Sequence, residues 1–460
     1  MFDNHKCYGI LGLARSGIAA ARKIRLMNGK AFLSELKPRS EIAEAELLEQ
    51  EFECEFGGHS DRLLQCDEWI VSPGIPLDSE IINKGNSKGI KMISELEFGY
   101  QIKHPESSLI AVTGSNGKST TASLIAHILH NNPASQTICL LAGNIGDAFC
   151  SFPIEQPGYD YIVLEVSSFQ LDLIETFKPD IAMVLNITPD HLNRYSAFRD
   201  YALSKFNVFK NQGKDQHAIL NLDDVVTAGL DDSIASVRHY FTLDKANRMR
   251  RVPEAWLNGN VLETSISDFA VSIYELQIKG PHNWANALAA VLACQIAGLS
   301  NQDIISGLRS FKSLKHRLQY VSRVNGITFY NDSKATNTDS VKYALLSFEQ
   351  PIRVIMGGSD KGEDFAVLTD LLEKHAKKVY VTGDTADKMR QAWFGKVPMV
   401  IISDFEECVR TAFSESMAGD NIVLSPACAS FDKFRNFEHR GDTFIEIVRK
   451  IEGQYEKKSQ

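Results

Sequence analysis

Lys118 and Ser119 follow two glycines, Gly114 and Gly117, where an apolar run (109–112) gives way to a helical pattern (122–130). Such a turn aims backbone N–H groups at one point, and the positive end of the following helix reinforces them, making a cradle for polyphosphate. Lys118 supplies a mobile cation for the terminal phosphates, and the Ser119 hydroxyl can ligate Mg2+. Ser115, Asn116 and Thr120 complete the loop. Gly114 precedes Gly117 by only three positions, a shorter spacing than the usual G-x-x-x-x-G-K-[ST]. A bare Gly-Lys-Ser triplet could be a surface turn; the strand before it and the helix after it point to nucleotide binding.

Other polar groups stand at the ends of apolar runs. Glu165 terminates the run 161–164, where a nucleotide enzyme sets an acidic Mg2+ ligand beside its phosphate loop. The alternative is a solvated glutamate, but the residues after it, VSSFQL (166–171), have little surface character. Asp190 and His191 follow the run 181–185 and its turn; from the residues alone, His191 reads equally as a hydrogen-bonded structural histidine or as a metal ligand. NDSKATN (331–337) would make a capped turn into a helix, which explains its short polar residues but not Lys334 and the paired asparagines. GGSDK (357–361) and LSPACASFD (424–432) occupy equivalent positions after later runs. Three such loops at the carboxyl edge of one sheet would form a substrate cleft.

The elements that must position these groups alternate between β-type and helical patterns. Residues 1–102 show a βαβ rhythm, with strands predicted near 7–12, 31–34 and 68–71 and, after the stretch 13–17, an amphipathic helix to about 27. Ala14 stands where a G-x-G-x-x-G fingerprint needs its second glycine, which argues against an NAD-type site while leaving a nucleotide-shaped pocket at the strand ends. The block 103–313 holds the phosphate loop, strands at 161–164 and 181–185, a stretch (252–279) with no regular assignment, and a helix opening at HNWANA (282–287). In 314–460, strands are predicted at 327–329, 352–356, 379–382, 400–402 and 422–424, and the polar 453–460 reads as a frayed end. The fold class is therefore α/β, with three units in series and no internal repeat.

A chain of 460 residues suits about three domains. Its formal charge of −9 does not suggest a nucleic-acid or anionic-membrane partner. No apolar run approaches a membrane span and no signal region opens the chain, so a cytoplasmic location is expected. The eight cysteines form no C-x-x-C pair and read as scattered free thiols in a reducing compartment.

With TGSNGKST (113–120), GNIG (143–146), LEVSSFQLD (164–172), ITPDHLNRY (187–195), HNWANA, HR (316–317), NDSKATN, MGGSDKG (356–362) and LSPACASFDKF (424–434) in order, the chain resembles the Mur ligase family. These are ATP-dependent enzymes that build the peptide of the bacterial cell wall. SPGI (72–75) extends the likeness into the first block. TGSNGKST, NDSKATN and SPACASFD favour the glutamate-adding branch over sister ligases for alanine, diamino acids or dipeptides.

The resemblance implies a Rossmann-like N-terminal domain binding a UDP-substrate (1–102), a central P-loop ATPase-like domain (103–313) and a C-terminal Rossmann-like domain binding glutamate (314–460). The implied substrates are UDP-N-acetylmuramoyl-L-alanine, D-glutamate and ATP, joined through an acyl phosphate and a tetrahedral intermediate by a monomer. Two Mg2+ ions are implied, one on Ser119 and Glu165 and one on His191 and a carbamylated Lys205. Asn286, Arg317 and Asp332 resemble ATP contacts, Lys334 a group that steadies the acyl phosphate, and Asn144 a contact near the acyl substrate. Thr336, Lys361, Ser430 and Phe437 match glutamate contacts, and Arg15, Ser16, Glu35 and Gly74 match contacts to UDP. Ala14 and the pair Leu36-Lys37 depart from the common pattern there.

A folylpolyglutamate-type ligase would share the phosphate loop, but the extra first block argues against it. A non-catalytic nucleotide switch would have no use for the Asp332 and Ser430 loops. The choice between D- and L-glutamate is left open by the residues.

Overall fold

The computed structural model describes residues 2–130, 137–189, 194–249 and 251–459. Its strands form three sheets, two in a compact unit of residues 1–275 with 285–310, and one in a unit of residues 276–284 with 311–460.

The first sheet is all parallel, in the spatial order Glu53–Phe56, Lys30–Glu35, Cys7–Leu11, Glu68–Val71, Lys91–Ser94. The order in which successive strands are added reverses between Cys7–Leu11 and Glu68–Val71, so the loops after these two strands diverge and leave a crevice. Helices cover the sheet, which is why its inner strands are apolar on both faces: Ile10, Leu11, Leu33, Trp69, Ile70 and Val71 are buried.

The second sheet has nine strands. Its parallel part runs Cys139–Gly143, Tyr161–Glu165, Ser108–Thr113, Ile181–Val184, His217–Asn221, Val237–Thr242, Ala255–Asn258. The stretch left unassigned by the sequence extends it with antiparallel strands Val261–Thr264 and Phe269–Ser272. Asn258 pairs with Val261 across a two-residue turn whose first central residue, Gly259, has φ 60°. That is a left-handed position a hairpin turn demands and glycine supplies without strain.

The third sheet has the order Gln319–Val324, Ile327–Asn331, Asn421–Leu424, Ile352–Met356, Ala376–Val381, Met399–Ile401, antiparallel at the first pair and parallel elsewhere. The strands preceding the three polar loops of this unit are thus immediate neighbours.

Two helices differ from expectation. The phosphate-loop helix begins at Lys118, so the loop's Lys-Ser pair forms its first turn. The last helix, Phe437–Ser459, continues through the polar tail that the sequence suggested was frayed. A buried stripe (Phe444, Ile447, Val448, Ile451) anchors it, and the Tyr455 ring meets Phe413 edge-on at 5.3 Å. Among the described residues no helix is long and apolar enough to cross a membrane.

Candidate active site

The strand Ser108–Thr113 lies between Tyr161–Glu165 and Ile181–Val184, and the glycine loop leaves its carboxyl end. Gly117 has φ 85°, and a Cβ there would lie 2.4 Å from Asn286 Oδ1. Asn286 therefore sits against the loop, on the helix Pro281–Ile296. The loop is pinned by residues that the sequence did not single out. Asn186 Oδ1 accepts the Asn116 N–H at 2.8 Å, and Asn186 Nδ2 donates to Asn116 O at 3.1 Å. Ser115 Oγ donates to Thr188 O at 3.0 Å and lies 3.0 Å from the Tyr201 hydroxyl.

Two ammonium groups converge on one loop carbonyl. Lys118 Nζ donates to Gly114 O and Ser115 O, each at 2.8 Å, and Lys205 Nζ donates to Gly114 O at 3.0 Å. Lys205 is only 2% exposed and lies 4.7 Å from the Tyr201 ring centre. Tyr201 and Lys205 share a face of the helix Phe198–Phe206, four residues apart. The Lys118 ammonium at the N-terminal end of its helix makes this corner attractive to an anion. Ser119 and Thr120 are buried in the first helical turn.

Parallel register carries the acid to the same place. Glu165 pairs with Val112 on one side and Gly143 on the other. Its buried carboxylate accepts from Asn144 Nδ2 at 2.8 Å, and the Asn144 N–H donates to Glu165 O at 2.8 Å. A Cβ at Gly143 would lie 2.4 Å from Glu165 O, so the close approach needs glycine. Asp190 and His191 lie outside the described residues. Among the described residues no three His, Cys, Asp or Glu side chains converge into a metal cluster. Ser119 and Glu165 nonetheless offer a hydroxyl and a carboxylate, donors suited to a hard divalent cation.

The crevice of the first sheet is a cavity of about 970 Å³ lined by residues including Gly12, Glu35, Lys37, Gly74 and Ile75. Glu35 stiffens its wall, accepting the Leu13 N–H at 2.7 Å and the Lys37 N–H at 3.0 Å. Arg15 and Ser16 open the helix Arg15–Leu26. The Arg15 guanidinium donates to Gly146 O at 2.6 Å, so it reaches the GNIG loop that carries Asn144 instead of lining the cavity.

In the second unit, the three polar loops meet. Asp332 accepts from the Ser425 hydroxyl at 2.9 Å and from the Leu318 N–H at 3.1 Å, and burial pushes its carboxyl up to about 7. The Ser359 N–H donates to Ala429 O at 2.9 Å, and a Cβ at Gly358 would lie 2.1 Å from that oxygen. Arg440, buried, ties two of the loops. It donates to Ser333 O at 2.8 Å, Ser333 Oγ at 3.0 Å, Cys428 O at 3.1 Å and Ala429 O at 3.2 Å. Burial lowers its guanidinium to about 10. The sequence reading missed Arg440, although it lies on the same helical stripe as Phe444, Ile447 and Ile451, an unusual place for a charge.

Around this clamp, Lys334 Nζ lies 4.6 Å from the Phe437 ring centre, the Thr336 N–H donates to Lys334 O, and Ser430 is buried while Lys361 is exposed. Arg317 follows His316, whose φ is 62°, and its charge joins burial in holding His282 down to about 4. Burial is the larger cause.

The pattern of the MurD N-terminal domain matches residues 8–81, that of the Mur ligase middle domain residues 112–294, and that of the Mur ligase glutamate ligase domain residues 316–428. The chain is 38% identical to the UDP-N-acetylmuramoylalanine--D-glutamate ligase of Salinibacter ruber, covering 96% of this chain and 97% of that one. It is 38% identical to the protein of the same name from Geobacillus kaustophilus, covering 98% and 99%. Among solved structures, it is similar in fold to the UDP-N-acetylmuramate-alanine ligase MurC of Thermotoga maritima, with TM-score 0.62, 18% identity, and 97% and 99% of the two chains covered.

Proposed function

The chain belongs to the Mur ligase family, and from that membership we infer that it joins D-glutamate to UDP-N-acetylmuramoyl-L-alanine, converting ATP to ADP and phosphate in peptidoglycan precursor synthesis. The observation that carries this reading is the nearly end-to-end match to relatives bearing that activity in their names.

A carboxylate in water is a poor electrophile, so amide formation requires activation. In our reading the L-alanyl carboxylate attacks the terminal phosphate of ATP, giving an acyl phosphate, and the glutamate amine then displaces phosphate through a tetrahedral intermediate. Catalysis of this kind rests on positioning and charge neutralisation. Lys118 and the loop N–H groups take the terminal phosphates, with Asn286, Arg317 and Asp332 as further ATP contacts. A polyphosphate would replace the Gly114 and Ser115 carbonyls as the partner of the Lys118 ammonium. Lys334 steadies the acyl phosphate.

We assign 1–102 to the UDP-substrate, 103–313 to ATP and 314–460 to glutamate. Glu35 and Gly74 in the cavity wall, with Ser16 and Arg15 nearby, hold the UDP moiety. Thr336, Lys361, Ser430 and Phe437 hold the amino acid, the ammonium and hydroxyls meeting its carboxylates. Ser119 and Glu165 would hold one Mg2+, and His191 with a carbamylated Lys205 a second, the bound ions supplying charge neutralisation at the transferred phosphoryl group. Lys205 is buried, and as an ammonium it would repel a cation; carbamylation would make it an anionic oxygen ligand. We place the enzyme in the cytoplasm as a monomer, with no nucleic-acid or membrane partner.

The test is a release assay with purified protein and MgATP. ADP and phosphate should appear only when UDP-N-acetylmuramoyl-L-alanine and D-glutamate are both present, and L-glutamate should not replace the D-isomer. Nucleotide hydrolysis indifferent to both acceptors would point to a switch instead of a ligase.

A further inference from the structure

The first sheet holds a feature that ligation does not use: two thiols in contact. Cys7 opens the strand Cys7–Leu11, and Cys66 lies in the turn that leads into the neighbouring strand Glu68–Val71. They are 59 residues apart in sequence, and their sulfurs lie 3.5 Å apart. The backbone fixes this meeting. The Asp67 N–H donates to Cys7 O at 2.9 Å, and Asp67 Oδ2 accepts the Cys7 N–H at 2.8 Å, so the residue after Cys66 is hydrogen-bonded to Cys7 in both directions. A disulfide needs adjacent backbones and a further sulfur approach of about 1.5 Å, which side-chain torsions on neighbouring strands can supply.

We propose that Cys7 and Cys66 form a redox-responsive modification site, closing to an intramolecular disulfide when the protein meets a small-molecule disulfide such as oxidised glutathione. Access sets the order of events. Cys66 is 3% exposed while Cys7 is only half-buried, so Cys7 meets the reagent first. Its thiolate attacks one sulfur of the reagent and releases the first small thiol, leaving a mixed disulfide on Cys7. Cys66 gives up its proton to solvent and attacks the Cys7 sulfur, expelling the second small thiol. The protein loses two protons and two electrons, and the reagent is reduced to two thiols. Burial and the neighbouring Cys7 hold the Cys66 thiol well above its ordinary range, while Arg62 acts in the opposite sense. Capping Cys7 as a mixed disulfide removes one of those opposing charges at the step when Cys66 must ionise.

The bridge would staple two strands whose far ends wall the cavity, where Ser72 Oγ donates to Gly12 O at 2.8 Å. It should therefore raise the melting temperature by constraining the unfolded chain. The experiment treats the full-length protein with oxidised glutathione under non-denaturing conditions, caps residual thiols, and maps peptides by mass spectrometry. Expected are a Cys7–Cys66 linked peptide lighter by two hydrogens, its loss on dithiothreitol, a higher melting temperature, and stable glutathionylation of Cys7 in Cys66→Ser. Persistent glutathione on Cys7 in the wild-type chain, or a bridge involving Cys54 while Cys7 and Cys66 stay reduced, would overturn the proposal. Cys54→Ser, which removes a thiol on the edge strand of the same sheet outside the pair, should leave the bridge intact.

Discussion

The phosphate loop of the first unit and the three-loop cluster of the second both stand at carboxyl edges of parallel strands, yet they are held by opposite means. The phosphate loop keeps its cation at the surface of the backbone: Lys118 rests on the Gly114 and Ser115 carbonyl oxygens, and neutral side chains, Asn186 and Ser115, pin the turn. The other cluster has its cation inside, with the Arg440 guanidinium spending its donors on Ser333, Cys428 and Ala429. Charges parked on carbonyls are available to an incoming polyanion, whereas a buried guanidinium with four internal bonds is committed to shape. One edge is built to receive charge and the other to hold a form.

That contrast breaks if the two lysine and arginine roles prove interchangeable. Lys118→Ala should lower ADP release by about 10³-fold or more while leaving the melting temperature within about 1 °C of the parent, because it removes charge stabilisation of the transferred phosphoryl group and no buried packing. A large melting shift would show Lys118 to be structural. Arg440→Ala should do the reverse, destabilising the second unit by about 3 kcal/mol in denaturant titrations, since the carbonyls it serves would be left buried without donors. Unchanged stability would mean that the loops hold themselves.

Asp332→Asn sharpens the same point through pH. The folded carboxyl is pushed up to about 7 by burial, from an ordinary value of 3.8. Between these values the unfolded chain has shed a proton that the fold retains. Stability from this group is thus complete below the unfolded value, declines as pH climbs, and is gone above about 7. The asparagine variant should lose that slope, a difference of about 4 kcal/mol between acid and neutral pH, measured by chemical denaturation. Lys361→Ala, at an exposed position, should have the smallest effect, raising the KM for D-glutamate about tenfold with little change in kcat, as expected for lost uniform binding.

The glycine loop, Glu165 and the three polar loops were legible because each follows an apolar run, and strand ends in a parallel sheet share an edge. What escaped notice depends on contacts between distant segments. Asn186 and Tyr201 look like ordinary residues until the fold sets them against the phosphate loop. The strands 255–272 are short and half-buried, so their pattern is weak, although the Asn258-Gly259 step marked their turn. Arg440 betrayed itself only by interrupting an apolar stripe. His191 falls outside the described residues, and its role rests on the family likeness.

Glu165 owes its place to the counting of a strand. Along Tyr161–Glu165 side chains alternate between faces, and Val112 and Gly143 fix where the fifth residue stands. Drift can rewrite the letters before it with other apolar residues and leave the carboxylate where it is. Deleting one of them would carry the acid to the opposite face, because slippage by a single step exchanges inside for outside. The length of that short segment is therefore under tighter constraint than its spelling.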